Sequence, residues 1–201
     1  MSTISSPPTT ELASGPIDLT VAEPEGLYEV VNGKVVEKPA MGVFETWFAS
    51  ELFGWLQRSP GIQEHGRALS EMLFLLDAAN DLKRRPDLAF VSHERWARNR
   101  PVPRTAAWEV IPDLAIEIIS PTNLACQVIV KVSEYFRCGV RLVWVVYPVA
   151  EQVYVYESPT SVRILTRSDR LDLPAILPGF QLPLESLFER PTASLISQDT
   201  V

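Results

Sequence analysis

The sequence predicts an α/β fold, and three observations carry the prediction. Two short segments, Pro86-Asp87-Leu88-Ala89-Phe90-Val91 and Pro112-Asp113-Leu114-Ala115-Ile116-Glu117-Ile118-Ile119-Ser120, read as buried strands rich in apolar, β-forming residues. Two longer stretches, Gly42 to about Arg58 and Thr122 to Gly139, carry helical patterning. Ahead of them, Leu27 to Lys38 reads as a hairpin, because apolar runs flank Asn32-Gly33, a dipeptide suited to a tight primed turn.

Taken in order, residues 1–24 are rich in Ser, Thr and Pro and predict a disordered acidic tail. One domain is expected over 25–190, with a flexible tail over 191–201. The first helix rests on Val43, Trp47, Phe48, Leu52, Trp55 and Leu56, which recur at three- and four-residue spacing until Ser59-Pro60-Gly61 ends it. Ile62 to Leu76 reads as one bent strand or two short ones. After the Asp87 strand, an arginine-rich loop runs to about Val110. Thr122 or Asn123 is the expected cap of the second helix, which stops near Gly139. Leu142 to Val146 and Val153 to Tyr156 read as a strand pair turned around Pro148, and Val162 to Thr166 as a further strand. The segment from Leu177 to Phe188 is expected to pack over an edge.

Composition narrows the class. With 46% apolar residues in 201, the chain can bury a sizeable core. No run approaches the roughly 20 apolar residues of a membrane span, and Met1-Ser2-Thr3-Ile4-Ser5-Ser6-Pro7-Pro8 is not a signal peptide. Cys126 and Cys138, on one helix, lie about 18 Å apart and cannot bridge each other. A soluble cytoplasmic protein without a membrane partner is the expectation. The net charge of −7 is unevenly spread. Glu11, Asp18, Glu23 and Glu25 stand in the first 25 residues with no lysine or arginine. Arg84, Arg85, Arg95 and Arg98 cluster around Asp87, and Trp96 stands among them. That cluster suits phosphate contact, with a solvated loop as the alternative.

The acids in the two strands are the chemical signal. A charge among apolar strand residues is costly unless it is paired or holds a metal. Asp113 and Glu117 share a face but stand roughly 13 Å apart along the strand, too far to clasp one ion. Paired strands lie about 5 Å apart, so Asp87 and Glu117 can converge if their segments pair. Asp87 and Asp113 also fit a plainer role as solvated strand-entry residues after proline. Glu117, between Ile116 and Ile118, does not. On the following helix Gln127, Lys131 and Tyr135 recur every four residues and form one polar stripe. Two acids and a lysine are what metal-dependent phosphodiester hydrolysis requires, although Lys131 also fits an ordinary solvated helix face.

These residues resemble a known family. Tyr28-Glu29-Val30-Val31-Asn32-Gly33-Lys34-Val35-Val36-Glu37, Arg85-Pro86-Asp87, Pro112 to Pro121, Lys131, Tyr135 to Val140 and Leu177-Pro178-Gly179-Phe180 are similar, in that order, to the Uma-type restriction endonucleases of the PD-(D/E)XK nuclease superfamily. The resemblance spans roughly Leu27 to Phe188. It implies a restriction-endonuclease-like core, a mixed sheet flanked by helices with an N-terminal hairpin. It also implies a magnesium or manganese ion on Asp87 and Glu117, Lys131 as the catalytic lysine and DNA as substrate. A small nuclease that cuts both strands needs two sites, so a homodimer is expected. Three positions depart from the family pattern. Ile119 stands where the superfamily carries its lysine, Gln127 where members carry an aspartate, and Glu45 where they carry a histidine. Glu45 remains an auxiliary candidate, with Gln127 and Tyr135, and Glu37 a weaker one. The alternative function is a catalytically impaired nuclease fold that acts as a binding or regulatory module.

Overall fold

In the computed structural model, residues 26–189 are described. The expected tails over 1–24 and 191–201 lie outside them.

A hairpin opens the fold, β1 (Tyr28–Val31) and β2 (Lys34–Glu37). Asn32 and Gly33 both adopt positive φ, 51° and 71°, as a two-residue primed turn demands. Next come α1 (Val43–Gln57) and a four-residue helix α2 (Ile62–His65). Strands β3 (Gly66–Ser70), β4 (Phe74–Asp77), β5 (Leu82–Arg84), β6 (Leu88–Ser92) and β7 (Leu114–Ile118) follow. Helix α3 (Ala125–Arg137) precedes β8 (Leu142–Tyr147), β9 (Gln152–Ser158) and β10 (Ser161–Thr166). Finally β11 (Arg170–Asp172) and β12 (Gln181–Pro183) lead into α4 (Leu184–Phe188).

The central sheet is mixed, with strand order β10-β9-β8-β7-β6-β3. Only β7 and β8 run parallel, and α3 makes the crossover between them. A second sheet, β2-β1-β5-β4, carries the hairpin, and β11 and β12 form a small ribbon. Side chains of the central strands alternate between two cores. Leu88, Phe90, Leu114, Ile116, Trp144 and Val146 meet Phe48, Leu52 and Leu56 of α1. Ala89, Val91, Ala115, Val143 and Val145 meet Val128, Val132 and Tyr135 of α3, together with Phe74 and Leu82 of the second sheet. The expected architecture, a mixed sheet flanked by helices with an N-terminal hairpin, is the one observed.

Two local expectations are refined. Of the two readings of Ile62 to Leu76, the two short strands hold, preceded by a helical turn. The segment begins as α2 and then passes from the central sheet (β3) to the second sheet (β4). Helix α3 is capped at Leu124, because the Asn123 side chain is engaged in a turn, accepting from the Ser120 amide at 2.7 Å. The expected strand pair forms, with Val143–Val145 of β8 beside Val153–Val155 of β9. It is interior, covered by β7 and β10.

Candidate active site

The antiparallel register of β6 and β7 sets Leu88 opposite Ile116 and Phe90 opposite Leu114. That register brings Asp87 and Glu117 together at one end of the pair and puts Asp113 at the other. Asp87 Oδ2 accepts from the Ile118 amide at 2.6 Å, which ties the aspartate to the next strand. Both acids are buried, at 3% and 5% exposure, and both stand on the face covered by α3. Asp87 is therefore not a solvated strand-entry residue.

Helix α3 runs back over β7 and delivers two side chains to Glu117. Tyr135 Oη donates to Glu117 Oε1 at 2.6 Å, and Lys131 Nζ donates to Oε2 at 3.1 Å. Lys131 also pairs with Glu29 Oε1 at 3.2 Å. Sequence reasoning missed Glu29, yet its signal matches that of Glu117: a glutamate between the apolar Tyr28 and Val30. Glu29 accepts from Arg84 Nη1 at 2.6 Å and from the Arg85 amide at 3.0 Å. Arg84 also holds Glu134. Lys38 was missed as well, and no local pattern marks it. Its ammonium donates to Asp87 Oδ1 at 2.7 Å and to Glu71 Oε1 at 3.3 Å.

These contacts form two arms. Glu71, Lys38 and Asp87 make one; Glu117, Lys131, Glu29, Arg84 and Glu134 make the other. With every acid ionised, five carboxylates face three cations, a formal charge of −2. The imbalance appears in the acid that bears most of it. Burial pushes the Glu117 carboxyl above its ordinary range, and Asp87 and Glu29 push it further against the pull of Lys131 and Lys38. Burial also opposes ionisation of Glu29, but Lys131 and Arg84 outweigh it and hold that carboxyl low. Lys131 and Lys38 are both stabilised as cations: burial opposes their charge, and the surrounding carboxylates outweigh it. The Tyr135 phenol is pushed far up by burial and by Glu117, so it remains a donor.

A cleft of about 580 Å³ opens over this end of the strands, with Asp87, Glu117, Glu45, Gln127, Lys131 and Lys38 among its lining residues. Glu45 stands in the first turn of α1, 8% exposed. Gln127 is exposed, one helical turn before Lys131. The weaker candidate, Glu37, is exposed at the end of β2 and also lines the cleft. Among the described residues, no group of three or more His, Cys, Asp or Glu is arranged to hold a metal. Magnesium does not demand one. It takes one or two carboxylates and keeps several waters. Two adjacent buried carboxylates, a charge deficit of two and an open cleft above them fit a hydrated divalent cation.

The other expected residues have different employment. Arg84 is 6% exposed and committed to Glu29 and Glu134, so it offers no free guanidinium to a phosphate. Arg85 donates to the carbonyls of Glu71 and Tyr28. Arg95 sits at the far end of the strand pair, holding buried Asp113 at 2.8 Å and capping the carbonyls of Ile111 and Gly139. Asp113 also receives Arg141 and the Ser92 amide, so it is a buried structural ion pair rather than a solvated entry residue. Arg98 is exposed. Trp96 is buried under Arg100 and against Trp108, which rules out open base stacking.

Fold and site together define a restriction-endonuclease-like α/β protein with an acid–lysine centre at one end of its mixed sheet. The chain belongs to the Uma2 family, whose description reads "Putative restriction endonuclease" and whose model matches residues 17–185. A solved structure described as "a putative nuclease belonging to DUF820 from Anabaena variabilis" is similar to it, with a TM-score of 0.67 and 22% identity over 85% of this chain and 94% of that one. At that identity the likeness speaks for the fold. No protein of curated function matches. Among the described residues, no helix is long and apolar enough to cross a membrane.

Proposed function

We propose that the chain is a magnesium- or manganese-dependent endonuclease acting on the phosphodiester bonds of DNA. The observation that carries this reading is the meeting of Asp87 and Glu117 across β6 and β7, with Lys131 held on Glu117 from α3. Asp87 and Glu117 are the residues that would hold the ion, which when bound supplies a Lewis acid and a water of lowered pKa. Lys131 stays protonated between Glu117 and Glu29 and stabilises the negative charge that builds on the phosphate. Tyr135 fixes the orientation of Glu117, and Glu29 with Arg84 fixes that of Lys131. The superfamily's strand lysine position is Ile119, so the positive charge comes from the crossover helix instead. A double-strand cut needs two such centres, which a two-fold homodimer supplies.

Gln127 favours a second reading. It lines the cleft in place of the family's aspartate and removes an acid from the centre, as expected of a nuclease fold that binds without cutting. One experiment separates the two. Plasmid and single-stranded DNA are incubated with magnesium or manganese and wild type, Asp87→Asn, Lys131→Gln or Gln127→Asp. Asp87→Asn should abolish cleavage, Lys131→Gln should slow it about 100- to 1000-fold, and Gln127→Asp should raise it. Wild type and all variants equally inert on every substrate would sink the enzyme and leave the binding module.

A further inference from the structure

Asp87 already holds a cation, and that cation belongs to the chain. Of the two carboxylate oxygens, Oδ2 accepts from the Ile118 amide and Oδ1 is the one that faces Lys38. Lys38 Nζ covers Oδ1 at 2.7 Å, and the pair is buried, with side chains 9% and 4% exposed. Lys38 comes from just beyond β2, the outer strand of the second sheet, 49 residues from Asp87. Its backbone is fixed, since the Lys38 amide donates to the Leu27 carbonyl at 2.9 Å. Its side chain has a second anchor within reach, because Glu71 already touches the ammonium at 3.3 Å and is 27% exposed.

We propose that Lys38 is a tethered counter-ion of Asp87 that a divalent cation must displace, with Glu71 receiving the released ammonium. The proposal rests on the metal reading above and adds a competitor to it. An ammonium 2.7 Å from Oδ1 and a divalent ion on the same oxygen would be like charges about 4 Å apart in a poorly screened site, and they repel. Lys38 therefore keeps Asp87 paired when no ion is bound and lowers the apparent affinity for the ion. Swinging to Glu71 leaves the lysine paired, so the exchange strands no charge. Lys38 is a positioning residue that sets how much metal the site requires.

The test measures metal binding without turnover. Chelator-treated wild type and Lys38→Met, which keeps the apolar stem and removes the charge, are titrated with manganese. Free manganese is read by electron paramagnetic resonance, and thermal melts are followed in parallel. Lys38→Met should bind manganese about tenfold more tightly or better, because one charge-assisted hydrogen bond no longer has to be broken. Its melting temperature should rise more with manganese than that of wild type. If wild type binds and Lys38→Met binds equally or more weakly, Lys38 is no competitor and the metal reading survives. If neither binds, the metal reading falls and takes this proposal with it. Should Lys38→Met not fold, the wild-type Lys38 ammonium is followed by nuclear magnetic resonance during magnesium titration. Loss of its exchange protection on saturation supports displacement; an unchanged signal with magnesium bound overturns it.

Discussion

Glu29 and Glu117 are both buried glutamates in apolar strands, yet they stand on opposite sides of the ionisation balance. Glu29 meets Arg84 and Lys131 and is held below the usual 4.5. Glu117 shares Lys131, faces Asp87 and Glu29, and is raised. The two should therefore respond oppositely to neutralisation. Glu29→Gln removes one partner of a buried ion-pair network and should cost about 3 kcal/mol at pH 7. Glu117→Gln removes a charge whose burial is a burden and should change stability by no more than about 1 kcal/mol without metal. The sign with pH follows from the shifts. The stabilisation from Glu29 is present above its unfolded value and is lost as pH falls through its folded value. The gap between wild type and Glu29→Gln should thus close on acidification. Stability relative to Glu117→Gln should instead decline as pH rises from the unfolded value of Glu117 through its folded one. Urea unfolding of the three proteins across pH checks both, and equal responses of the two variants would show that the charge balance is wrongly drawn.

At the scale of elements, the site depends on how closely strands approach. Gly66 begins β3, and a methyl group there would strike the Val91 carbonyl and the Phe90 ring on β6. Gly66→Ala should therefore destabilise the fold by about 2 kcal/mol or more, measured by chemical denaturation. Because Asp87 stands directly before β6, the same change should loosen the centre. Legibility in the sequence also varied by element. Asp87 and Glu117 stood out because a carboxylate in an apolar strand has no packing value, and the strands that carry them were readable for the same reason. β5 was not readable, because Lys83-Arg84-Arg85 looks like a solvated run. Its Arg84 is buried only because Glu29 and Glu134 arrive from residues far away in sequence. Lys38 was invisible on the same ground. Its partner lies on another sheet, and no periodicity within β2 records that partner. The arginine cluster misled at Arg84, Arg85 and Arg95, because local charge density says nothing about which guanidinium groups are already engaged.

For the whole molecule, the sheet order predicts a gradient of local stability. β7 and β8 lie inside the central sheet, with a core on each face, while β2 and β10 are outer strands with exposed side chains. Amide hydrogen exchange should be slowest in β6, β7 and β8 and fastest, among the strands, in β2 and β10. Protection in β2 equal to that in β7 would contradict this. Asp87 and Glu117 would then stand on the stiffest part of the fold and Lys38 beside one of its softest, as the proposed displaceable counter-ion requires.

The crossover through α3 has one more consequence, and it concerns time. Contacts in the centre join residues 14, 49, 50 and 55 positions apart. No short stretch of chain contains the site. A ribosome that has released both acid strands has released the Lys38–Asp87 and Glu29–Arg84 pairs but not the partners of Glu117; Lys131 and Tyr135 arrive a helix later. The centre therefore cannot be completed before α3 has emerged, and each long loop must close before its contact exists. An incomplete or partly unfolded copy carries the acids without the arrangement, and so lacks the proposed chemistry.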